Sequence, residues 1–139
     1  MTEDEKWKYL VSLDETLLHG GVILSDWATY LINSADLAFV GGAYLASLIT
    51  SLAGVETHLR REGGSSKQRL VDLIEQSNLE NDLKQELQSL RKYRNKLVHI
   101  ADHWEDDKLL ESPDQHDDEL KEMAKRCVVA LRRTIYANP

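Results

Sequence analysis

The sequence is poor in the residues that cross-link, interrupt or anchor a chain. Its one cysteine, Cys127, has no partner for an internal disulfide, so a disulfide scaffold and dithiol redox chemistry within one chain are excluded. The two prolines, Pro113 and Pro139, leave the first hundred residues free of that helix breaker. No run of eighteen apolar residues occurs, which argues against a membrane-spanning helix. Residues 1–6 are acidic where a secretory signal is basic and then apolar, so the expected location is the cytoplasm, with no membrane partner. Repeats and low-complexity tracts are absent. Positive charge is scarce as well: the net charge of -7 argues against coating nucleic acid through a broad basic surface.

What is present is helical patterning. With 139 residues, 42% of them hydrophobic, residues 1–139 are expected to form one domain around one core. Trp7, Leu10, Val11, Leu17 and Leu18 recur at helical spacing and stop at Gly20 and Gly21. A shorter helix is expected over 25–33, capped by Ser25. A long one follows over 36–61, with Tyr44, Leu45, Leu48, Ile49, Leu52, Val55 and Leu59 as its stripe and Gly63 and Gly64 closing it. Ser66 is placed to cap a short helix carrying Leu70, Leu73 and Ile74. Ser77 and Glu80 have capping-box spacing for a helix over 78–98. After an acidic linker over 102–116, the last helix, 117–137, shows Leu120, Met123, Ala124, Cys127, Val128, Leu131 and Ile135 on one side. The expected fold is all-α, a four-helix up-and-down bundle with one or two short extra helices.

Two charges fall on these stripes. Leu83, Leu87, Leu90 and Leu97 step by four and three through position 94, which is Arg94. Leu45, Ile49, Leu52 and Leu59 step in the same way through Glu56. An orphaned buried charge costs about 3 to 5 kcal/mol, so the two are expected to pair or to serve a ligand. Positive charge is also concentrated: Arg91, Lys92, Arg94 and Lys96 lie within six residues, whereas 105–119 carries eight acids against one lysine. Arg91, Asn95 and His99 follow each other at four-residue steps on one face, a row suited to phosphate binding and proton transfer. Arg94 and His99 are five apart, about 140° around a helix. They reach one phosphate only if the helix bends or a second subunit contributes.

The stretch Arg94, Asn95, Lys96, Leu97, Val98, His99 resembles the Arg-polar-x-x-x-His signature of HEPN domains. The resemblance extends over about 36–137, because 42–60, with Glu56 near its end, looks like that family's second helix. It implies a homodimer that cleaves single-stranded RNA without metal or other cofactor. Arg94 then holds the scissile phosphate, Asn95 orients the site, His99 is general acid or base, and Glu56 supports them. Arg91, Lys92 and Lys96 contact RNA, and 2′-hydroxyl attack gives a 2′,3′-cyclic phosphate. Family members include toxins and defence effectors, for which an antitoxin protein is the implied partner. One subfamily has a tyrosine two residues after the histidine, where this chain has Ala101; modification by a nucleotidyltransferase antitoxin is therefore not expected. Other members are non-catalytic modules that bind a nucleotide or a protein, and the residues leave that alternative open.

The remaining candidates are weaker. His99 and His103 have metal-ligand spacing on a helix, but no third ligand accompanies them, so no metal site is expected. His19, His58 and His116 read as solvated or capping residues, and Trp7, Trp27 and Trp104 as core. Cys127 reads as inert packing.

Overall fold

Thr2 opens the first helix, its Oγ1 accepting the Glu5 N–H at 3.1 Å, and three acids in the first turn suit the positive end of the helix dipole. The computed structural model describes residues 1–63, 67–98 and 113–137. Among them are six helices and no strands: α1 (Glu3–Leu17), α2 (Asp26–Val40), α3 (Tyr44–Arg61), α4 (Leu70–Gln76), α5 (Asn81–Val98) and α6 (Pro113–Ile135). None is long and apolar enough to cross a membrane among the described residues.

Ser25 caps α2 as its sequence position predicts, accepting from Ala28 N–H at 3.1 Å. The helix does not stop at 33, and the next does not begin at 36. Instead α2 continues to Val40 and turns at Gly41 and Gly42 before α3 starts at Tyr44. The turn is a Schellman closure: Gly42 N–H donates to Phe39 O (3.2 Å) and Ala43 N–H to Ala38 O (2.8 Å). Gly42 sits at φ +83°, a conformation strained for any residue with a Cβ. The capping box at Ser77 does not form either. Ser77 ends α4, donating to Ile74 O, and α5 starts only at Asn81. Ser66 lies outside the described residues.

The core is built around α3, which packs most extensively on α2 and α6. Leu48, Leu52, Val55, Leu87, Leu90, Cys127 and Leu131 are sealed from solvent. Full burial is worth about 1.5–3 kcal/mol for each of the large aliphatic side chains among them. Gly54 permits the α3–α6 approach, since a Cβ there would lie 2.9 Å from Leu131 Cδ1. A second cluster, Leu10, Phe39, Val40 and Val128, joins α1 to α2 and α6.

Two helices are rotated by about one residue from the sequence reading. In α1 the buried residues are Lys6 and Leu10, while Trp7 and Val11 are 41% and 53% exposed. Lys6 pays for its burial by donating to Val40 O (3.4 Å) at the negative end of α2 and by lying 5.0 Å over the Tyr44 ring. In α3, Leu45 and Ile49 are exposed, and the stripe runs through Tyr44, Leu48, Leu52, Val55 and Leu59. Trp27 is also exposed and stacks on Tyr30, so neither Trp7 nor Trp27 is core.

Candidate functional site

Leu83, Leu87 and Leu90 anchor α5 in the core, and the turn beyond them carries the positive charge. Arg94 is half-buried at the edge of the helix face. Its Nε and Nη2 both donate to Asn95 Oδ1, at 3.2 and 2.9 Å. Two of its five donors are thus committed to a neutral acceptor, and the guanidinium keeps its full charge. Arg91 likewise donates to an amide, Gln88 Oε1, at 2.7 Å. Lys92 and Lys96 are exposed. A shallow groove of about 510 Å³ is lined by Asn81, Lys84, Gln85, Gln88, Ser89 and Lys92 on successive turns of α5 and by Glu75 of α4.

Among the described residues none of these four cations meets a carboxylate, whereas most of the other arginines do. Arg60 pairs with Glu56, Arg69 with Asp72, Arg126 with Glu86, Arg133 with Asp82, and Arg132 with Asp14 and Asp36. In a chain of net charge -7, the end of α5 brings four such cations together within six residues, among the described residues.

Glu56 does not pair with Arg94. It accepts from Arg60 Nη2 at 2.8 Å, and that nitrogen also donates to Gln68 O at 3.0 Å, tying the chain beyond α3 back to the helix. The rotation of α3 explains the difference: Leu45, Ile49 and Glu56 share the outer edge of the stripe, where the Glu56 side chain is 26% exposed. The penalty for an orphaned buried charge therefore does not apply to it. His99 lies outside the described residues, as do Ala101, His103, Trp104 and the acidic stretch 105–107. Among the described residues no group of three His, Cys, Asp or Glu could hold a metal ion.

Two features were missed in the sequence. Arg132, 2% exposed, donates from Nη1 and Nη2 to the two oxygens of Asp36 (3.0 and 2.7 Å) and from Nε to Asp14 Oδ1 (2.9 Å). Tyr136 Oη donates to the same Asp14 oxygen at 2.6 Å. Burial works against charge on Arg132, and the bonds and fields of Asp36 and Asp14 overcome it, leaving its pKa above the ordinary value. The network joins α1, α2 and α6 and opens on neither cavity described here, which makes it architectural. Its signal was present, because Arg132 follows Val128 by four on the α6 stripe.

The second feature is His58. It is 9% exposed, and burial lowers its pKa below 6.5, with Glu62 opposing and Arg61 reinforcing the shift. His58 lines a cavity of about 550 Å³ between the end of α3, α4 with the linker that follows it, and the end of α6. It is not solvated; His116, near the start of α6, is half-buried, and His19 is exposed as expected. Cys127 is sealed, its thiol pushed by burial up to about 12, which removes it as a nucleophile near neutral pH.

No protein-family model, no curated protein and no solved structure matches the chain.

Proposed function

We propose that the chain is a metal-independent RNA endonuclease of HEPN type, a cytoplasmic homodimer built on a four-helix up-and-down bundle with shorter helices added. The observation that carries this reading is the uncompensated charge of Arg91, Lys92, Arg94 and Lys96 at the end of α5, in a protein that otherwise pairs most of its arginines with carboxylates. Charge left in this state favours a polyanion, and a cluster confined to one helix end favours a local phosphate contact over a broad coat.

Arg94, steadied by Asn95, would hold the scissile phosphate through its three uncommitted N–H groups, since two of five are used. His99 would take the proton from the 2′-hydroxyl or return one to the leaving oxygen. The O2′–P bond forms as the P–O5′ bond breaks, giving a 2′,3′-cyclic phosphate and a 5′-hydroxyl. Pairing two motifs across a twofold axis meets the 140° separation of Arg94 from His99. Under this reading the setting is that of a toxin or defence effector with an antitoxin protein as partner.

The test is incubation of the purified protein with single-stranded RNA in EDTA. Cleavage ending in cyclic phosphate is expected. His99→Ala should lower the rate by about 10² to 10⁴ with helical content unchanged, and Arg94→Ala should weaken binding and cleavage together. No cleavage above the His99→Ala level on several RNAs would sink the nuclease reading and leave a module that binds a nucleotide or a protein.

A further inference from the structure

The cavity beside His58 shares no lining residue with the basic end of α5, so its ligand is independent of whether the chain cleaves RNA. Its volume, about 550 Å³, falls within the roughly 300–1,000 Å³ of small-molecule sites. Leu59, Leu79 and Ile135 supply apolar wall; His58, Glu62 and Asn78 supply polar groups. No lysine or arginine lines it among the described residues. An anionic ligand would therefore meet the Glu62 carboxylate with no cation to offset it.

His58 points to the ligand's polar end. Nine-tenths buried, its ring makes no hydrogen bond among the described residues, and its nearest charged neighbour, Glu62 Oε1, stands 4.0 Å from Nε2, beyond hydrogen-bond reach. The ring thus keeps hydrogen-bonding capacity that no protein group takes up, at a residue lining the cavity, and a ligand's donor or acceptor can use it. Burial favours the neutral imidazole, which keeps one nitrogen as an acceptor. Glu62, half-exposed at 53%, offers a second acceptor bearing negative charge. Two acceptors 4.0 Å apart above an apolar wall fit an ammonium on a hydrocarbon body.

We propose that this cavity binds a small amphipathic amine, its ammonium between Glu62 and His58 and its apolar body against Leu59, Leu79 and Ile135. Tryptamine is a suitable probe, with indole as the same body without charge and indole-3-acetate as the opposite charge. In the full chain, the His58 ring C–H signals, identified by their absence in His58→Gln, should shift saturably with tryptamine. Tryptamine should bind about twofold to fivefold more tightly than indole, the range of a partly exposed ion pair, and indole-3-acetate more weakly than either. Glu62→Gln should bring tryptamine to the level of indole and leave indole unchanged. Equal binding of tryptamine and indole-3-acetate, indifference of tryptamine to Glu62→Gln, or unmoved His58 signals at millimolar probe would each overturn the proposal. Should Glu62→Gln fail to fold by circular dichroism, the ranking of the three probes on the unmodified protein decides.

Discussion

Arg132 holds three helices through one guanidinium, and its partners are unequal. Asp36 takes two bonds and is nearly buried, whereas the Asp14 side chain is 41% exposed. Asp36→Ala should therefore cost about 3 to 5 kcal/mol in urea unfolding, because it strands a sealed cation. Asp14→Ala should cost less, since water can replace its carboxylate. His58 makes a pH-dependent contribution whose sign follows from its lowered pKa. Between the folded value and about 6.5 the unfolded chain binds more protons, so stability is full above 6.5 and falls as pH drops through the folded pKa. Stability measured against pH should lose that component in His58→Gln, and equal slopes below pH 6.5 would contradict it. Residues of this kind are only partly legible in sequence. Testing each core stripe for a misplaced charge singled out Arg94 and Glu56, and the same test on α6 singles out Arg132. His58 carried no comparable sign, because its burial depends on the neighbouring chain around α4 and the end of α6.

At the scale of elements, the existence and type of the helices were readable while their boundaries and rotation were less so. In α1 and α3 apolar residues occupy adjacent positions, Leu10 with Val11 and Leu48 with Ile49. Periodicity therefore permits two stripes one residue apart, and packing against neighbours selects between them. The α2–α3 junction was obscured because apolar residues run on both sides of Gly41 and Gly42, while the positive φ of Gly42 and the Schellman hydrogen bonds mark the break. Gly42→Ala is expected to lower stability by about 1–2 kcal/mol, the cost of placing a Cβ in the left-handed region. Unchanged thermal unfolding would mean that the turn accommodates a side chain by rearranging. Gly54 matters for a different reason: its φ is ordinary, and it is the Leu131 side chain 2.9 Å from the position of a Cβ that restricts it.

For the molecule as a whole, the uneven charge has two expected consequences. A basic helix end that also exposes Val98 is a poor surface to leave in water, and under the proposed nuclease reading pairing with a second copy would cover the apolar part and double the field on one strand of RNA. Sedimentation should report about twice the chain mass of 15.9 kDa; a monomer at micromolar concentration would remove the composite site. The all-helical class was legible from sequence because spacing sets it. The way residues 14, 36 and 132 converge was not, because contacts across 96 and 118 positions leave no local trace. That separation also matters while the chain is being synthesised. The two aspartates emerge first and stay hydrated, and the cation that joins them follows 96 residues after Asp36, together with Cys127 and Leu131 of the core. Helices α1 to α3 must therefore wait on the ribosome with the apolar faces meant for α6 uncovered, and it is during this interval that the nascent protein would most depend on a chaperone.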